Sequence, residues 1–89
     1  MRRDEFLEMA HIVIGALVDD PDAVEIDSRN GSSSVLLEVR VKNGQAGQVI
    51  GKHGRNIAAV RTVMQAFGAK HGKKVMLEFV ENEADRRLP

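Results

Sequence analysis

The 89-residue chain has no cysteine, tryptophan or tyrosine, only three phenylalanines and only two prolines. Without cysteine, disulfides and thiolate metal sites are excluded, which fits a reducing compartment, and the cytoplasm is the expected location. The longest apolar run, HIVIGALV at 11–18, is far short of the roughly 20 residues that cross a membrane. Residues 1–15 lack the basic-then-apolar order of a secretory signal. With histidines scattered at 11, 53 and 71, no nucleophile, acid–base pair or metal cluster suggests itself. No enzyme, metal or cofactor is expected.

Another absence is local. Between residues 40 and 74 there is no Asp or Glu, while Arg40, Lys42, Lys52, Arg55, Arg61, Lys70, Lys73 and Lys74 give that segment a charge of +8. Residues 1–39 carry −6 and residues 75–89 carry −2, so the formal net charge of zero conceals a basic middle. Surface potential follows local charge, and a segment of this kind points to nucleic acid or another polyanion.

What is present reads as one domain. Phe6, Leu7, Ala10, Val13, Ile14 and Leu17 follow a helical rhythm behind Asp4, a natural cap, with DDPD at 19–22 as the stop. A short strand at 24–27, a flexible turn over SRNGSSS at 28–34 and a second strand over VLLEVRVK make a hairpin, with Val35, Leu37, Val39 and Val41 on its buried side. Residues 43–50 are expected to form one or two helical turns packed through Ala46, Val49 and Ile50, ending at Gly51. A long helix begins at Arg55, buries Ile57, Val60, Val63, Met64 and Phe67, and ends near Gly72. Residues 73–80 supply a third strand. The polar tail, 81–89, has no apolar stripe and is expected to fray. The fold class is therefore α+β: α-β-β-α-α-β, a three-stranded sheet covered by helices on one face.

Between the short helix and the long one lies GKHG at 51–54. Glycines let a ligand approach the main chain, and the next helix presents unpaired N–H groups and a partial positive charge. Phosphate suits such a site. Lys52 and Arg55 add attraction, Asn56 a neutral donor, and His53 a further candidate. A nucleotide P-loop is excluded, because only three residues separate Gly47 from Gly51 and His53 follows Lys52. The dinucleotide fingerprint needs three glycines directly after a strand, and this loop follows a helix.

The run Val49-Ile50-Gly51-Lys52-His53-Gly54-Arg55-Asn56-Ile57 resembles the V-I-G-x-x-G-x-x-I signature of the KH domain at all nine positions, with its apolar flanks. The element order is similar to the type II arrangement, over residues 4–80. More narrowly, the length and the ALVDDPDAVEI link resemble a family of small bacterial RNA-binding proteins called KH-domain protein A. The resemblance implies binding of single-stranded RNA, a post-transcriptional or RNA-chaperone role linked to cell elongation and division, and pairing with itself or with a second, larger KH protein. It places the RNA between Gly51–Arg55 on one wall and the sheet edge at 35–42 on the other, over a floor that includes Ile50 and Ile57. Candidate RNA-binding residues are thus Ile50, Gly51, Lys52, His53, Gly54, Arg55, Asn56, Ile57, Arg61, Arg40 and Lys42. Plainer roles exist: Ile50 and Ile57 also suit the core, Arg61 a solvated face, and Arg40 and Lys42 an edge strand. A module that works mainly through protein partners is the alternative function.

Overall fold

The computed structural model describes residues 4–42 and 44–80. Its first helix, α1 (Glu5–Gly15), starts at Asp4, whose Oδ1 accepts the Leu7 N–H at 3.0 Å. The other carboxylate oxygen accepts a hydrogen bond from the Ser28 hydroxyl, tying the start of α1 to the sheet. Burial alone would raise the Asp4 carboxyl above its ordinary 3.8. Hydrogen bonds from Ser28, the Leu7 amide, Asn30 and the Phe6 amide together outweigh that effect and hold it lower. α1 buries Phe6, Ala10 and Ile14, one residue per turn on a single face, and stops at Gly15, two residues before Leu17.

Two antiparallel strands follow, β1 (Val24–Asn30) and β2 (Ser34–Val41), paired from Val24↔Val41 to Asn30↔Val35. The turn is tighter than the sequence suggested: Ser28, Arg29 and Asn30 belong to β1, and residues 31–33 alone make the connection. A backbone ladder is indifferent to side-chain polarity. Moreover, Ser28 reaches Asp4, and Arg29 lies 3.6 Å from Glu38 across the strands. β2 alternates strictly, with Val35, Leu37, Val39 and Val41 turned into the core.

The chain then forms α2 (Ala46–Ile50), a turn at Lys52–Gly54, α3 (Arg55–Lys70) and β3 (Lys74–Phe79). β3 pairs parallel to β2, from Ser34↔Lys74 to Val39↔Phe79, so the sheet order is β1-β2-β3 and the sheet is mixed. This overturns one expectation. β2 is the central strand, paired on both sides over residues 35–39, so that stretch offers no free sheet edge; β1 and β3 are the edges. Arg40 projects from the sheet face opposite the helices and pairs with Asp27 at 3.0 Å, and Lys42 meets Glu25 at 2.7 Å.

α1 lies over β1 and α3 over β3, with the two helices also in contact, so the core sits between the helix layer and one sheet face. On α3 the buried stripe runs Ile57, Val60, Met64 and Gly68. Val63, expected inside, is 45% exposed because it falls at the border of that stripe. Gly68 is where α3 touches β3. A methyl there would lie 2.4 Å from Val75 Cγ2 and 2.7 Å from the Lys73 carbonyl. α3 closes with the Lys73 N–H bonded to the Gly68 carbonyl and the Gly72 N–H to the Ala69 carbonyl, Gly72 adopting φ +69. That is a Schellman cap, and it ends the helix where the sequence indicated. The tail, 81–89, lies outside the described residues.

Candidate nucleic-acid interface

α2 has only five residues, too few for a helix that is stable alone. Tertiary bonds hold it. Val49 is fully buried. The Asp19 N–H donates to Gln48 Oε1 at 2.9 Å, Gln48 Nε2 returns a bond to Asp19 Oδ2 at 2.9 Å, and the Asp20 N–H donates to Gln45 Oε1 at 2.9 Å. The link between α1 and β1 thus grips one side of α2. Sequence reading missed this pair of glutamines; the signal was their i, i+3 spacing, which puts both on one helical side.

From this anchored turn the chain enters the glycine loop. Gly51 has φ 77 and ψ 171, backbone angles essentially confined to glycine. His53 (φ 58, ψ 24) and Gly54 (φ 73, ψ 18) are both left-handed, and α3 begins at Arg55. Inside the loop the Gly54 N–H bonds to the Gly51 carbonyl at 3.0 Å, and the Arg55 N–H to the Lys52 carbonyl. Among the described residues, the N–H groups of Lys52 and His53 meet no protein acceptor. Consecutive free N–H groups in such a turn make a concavity for anions.

The two glycines are present for different reasons. Beside Gly51, a methyl would strike the Asn56 side chain at 2.6 Å and the Asn56 backbone nitrogen at 2.9 Å. Gly54 has nothing within 4 Å on its corresponding side. Asn56 is itself engaged, with Nδ2 donating to the Gln48 carbonyl at 3.0 Å. Its amide thus ties α3 back to α2 across the loop.

Lys52, His53 and Arg55 are exposed, and among the described residues no carboxylate lies within ion-pair distance of Lys52 or Arg55. The first turn of α3 carries no acid either. Ile50, expected to pack inward, is 36% exposed beside the loop, whereas Ile57 is in the core at 8%. Arg61 leans onto β3, its Nε 3.4 Å from the Leu77 carbonyl. The basic middle does not form one face. α3 is about 24 Å long; Lys70 is in its last turn, and Lys73 and Lys74 lie past that end, away from the loop, with Lys73 Nζ on the Gly31 carbonyl at 3.3 Å.

His71 is also at that far end. Its ring centroid lies 4.6 Å from that of Phe67, tilted, and 5.6 Å from that of Phe6, edge-on, with Nε2 3.3 Å from the Glu5 carboxylate. Among the described residues, no three His, Cys, Asp or Glu side chains group to hold a metal ion, and no helix is long and apolar enough to cross a membrane.

Known proteins resemble this chain over most of its length. The family model described as KhpA/KhpB, KH domain, matches residues 8–79. The RNA-binding protein KhpA of Caldanaerobacter subterraneus subsp. tengcongensis is 40% identical over 73 residues, 82% of this chain and 97% of that protein. The protein of the same name in Clostridium perfringens is also 40% identical over 73 residues, with the same coverage. That of Aquifex aeolicus is 39% identical over 74 residues, 83% of this chain and 94% of its own. No solved structure matched. With a KH signature at the mouth of α3, a mixed α+β sheet and relatives aligned over nearly their whole length, the chain belongs to the KhpA/KhpB KH-domain family.

Proposed function

We propose that this protein binds single-stranded RNA, with the strand's phosphates against the Gly51–Gly54 turn. One observation carries the reading: the free Lys52 and His53 N–H groups lie between two positive-φ glycines at the mouth of a 16-residue helix, beside two cations with no described acidic partner. The relatives' name, RNA-binding protein, supports it. Backbone amides and the helix dipole grip phosphate, Lys52 and Arg55 add long-range attraction, and Ile50 offers an apolar surface to a base. Asn56 acts indirectly, by holding α2 and α3 in register. Arg40, Lys42 and Arg61 take a lesser part, each being already engaged within the protein. Phe6 is buried, Phe67 and Phe79 are half-buried against the core, and the chain has no Trp or Tyr. Stacking of about 1–3 kcal/mol per base is therefore largely forgone, which leaves affinity modest and sequence preference loose.

The test is Lys52→Asp combined with His53→Asp, which sets carboxylates beside phosphates. RNA binding in a gel shift should vanish while circular dichroism reports an intact fold; unchanged affinity would overturn the assignment. Wild-type affinity should also fall steeply with salt, because each neutralised phosphate releases counterions.

The second reading is a pairing module that engages another KH protein or a second copy of the chain. It is favoured by Ile12, 67% exposed on α1, and by Val63 on the adjoining α3. Association of that kind would show no comparable salt slope.

A further inference from the structure

The match to the family ends at residue 79, so the shared fold assigns no task to the segment ENEADRRLP at 81–89. Its charges are unevenly placed. Glu81, Glu83 and Asp85 put three carboxylates into its first five residues, and Arg86 and Arg87 follow farther out.

The packing of α3 on β3 fixes where that segment leaves the fold. Gly68 lies against Val75, and two helical turns nearer the start of α3 the Arg61 side chain reaches the Leu77 carbonyl, so helix and strand run in opposite directions. From Gly68 back to Arg55 the helix spans about 20 Å, and from Val75 forward to Val80 the strand advances about 16 Å. Val80, with its N–H on the Val39 carbonyl at 2.8 Å, therefore stands within about one helical turn of the level of Arg55. β2 leads to the same place: it is parallel to β3, and the chain passes from its end into α2 and the glycine turn. Residues 81–85 are thus tethered at the loop end of the molecule, within about 17 Å of Val80, and not at the end where Lys73 and Lys74 lie.

At that end Lys52 and Arg55 are exposed and, among the described residues, have no carboxylate within ion-pair distance. We infer that Glu81, Glu83 and Asp85 are a built-in competitor for RNA, their carboxylates taking the place of phosphates before Lys52, Arg55 and the free amides of Lys52 and His53. The effect on RNA rests on the function proposed above; the contact itself does not. A ligand on so short a tether acts at an effective concentration in the millimolar range. Exposed ion pairs are individually weak and are screened by salt, so the segment tempers affinity without blocking it.

The experiment neutralises the three acids in the full chain, Glu81→Gln, Glu83→Gln and Asp85→Asn together, and reads two quantities. In NMR spectra of the free protein at low salt, the amide signals of Lys52 and His53 should shift between wild type and variant while those of Lys73 and Lys74 hold still. In fluorescence anisotropy with a labelled, mixed-sequence single-stranded RNA, the variant should bind about five-fold more tightly at roughly 0.01 M salt, a gain of the size that one or two exposed ion pairs supply. That gain should fade toward 0.15 M, as the screening length shrinks from about 30 Å to about 8 Å. Motionless Lys52 and His53 signals overturn the inference, as does RNA affinity that is unchanged, weakened, or raised equally at both salt concentrations. If wild type and variant both failed to bind the RNA, the functional reading would fall, and the amide shifts would still decide whether the segment meets the loop.

Discussion

Alanine in place of Gly51 should damage the fold far more than alanine in place of Gly54, although the two glycines look equivalent in the motif. Gly51 sits at φ 77 and ψ 171, a region whose occupation by another residue costs about 1–3 kcal/mol. Its new methyl would also lie 2.6 and 2.8 Å from Asn56 side-chain carbons and 2.9 Å from the Asn56 nitrogen, overpacking that costs about 1–3 kcal/mol more. A total near 4 kcal/mol is a large share of the roughly 9 kcal/mol expected for a domain of this size. Gly54 has a left-handed backbone but open space, and its substitution should cost only about 1 kcal/mol. Thermal unfolding followed by circular dichroism should therefore show Tm falling by about 20 °C for Gly51→Ala and about 5 °C for Gly54→Ala. The double variant Gly51→Ala with Asn56→Gly separates the two terms, since alanine at 56 would keep the Cβ that lies 2.8 Å away. Removing the obstructing side chain should make the pair less damaging than the sum of its parts by about 1 kcal/mol. Equal Tm losses at the two glycines, or strict additivity with Asn56→Gly, would refute the steric argument.

Helix propensity says that Gly68→Ala should stabilise α3 by about 1 kcal/mol. Contact with Val75 at 2.4 Å and with the Lys73 carbonyl at 2.7 Å reverses the sign, so Tm should drop by about 10 °C; a rise would show that α3 and β3 pack less closely than described. Because the Asp4 carboxyl is held below 3.8 in the fold, its contribution is complete above the unfolded value and is lost as pH falls through the folded one. Asp4→Asn should thus lower Tm at pH 7 and converge on wild type toward pH 2, and a gap that persisted at pH 2 would contradict the assigned hydrogen bonds.

The order of elements was readable because it is written in local periods. Alternation at 35–41 and the helical spacing of Phe6, Ala10 and Ile14 need no knowledge of the rest of the chain. The glycine loop was legible for the same reason, as a short pattern with its own geometry. Strand neighbours were not. Which strand lies beside β2 depends on pairings such as Val35↔Val75, forty residues apart, and nothing in the composition of β2 distinguishes a central position from an edge. Val63 was misplaced because i, i+3 and i, i+4 spacing describes a stripe broader than the one that touches the sheet. At the site itself, Asn56 read as a donor for a ligand, yet its amide serves the Gln48 carbonyl. Side-chain amides suit both tasks, and only the approach of α2 to α3 decides between them. The tethering of α2 by Asp19 and Asp20 was hidden likewise, since its partners are 29 and 25 residues apart.

α2, the glycine turn and the start of α3 all lie in the single crossover between two parallel strands, from Val41 to Lys74. Its ends are fixed, at opposite ends of β2, only when the third strand pairs with the second, and pairing segments so distant along the chain is entropically demanding. On the function proposed above, a chain still growing or half collapsed would carry the signature without the receptor, and RNA would wait for a finished fold.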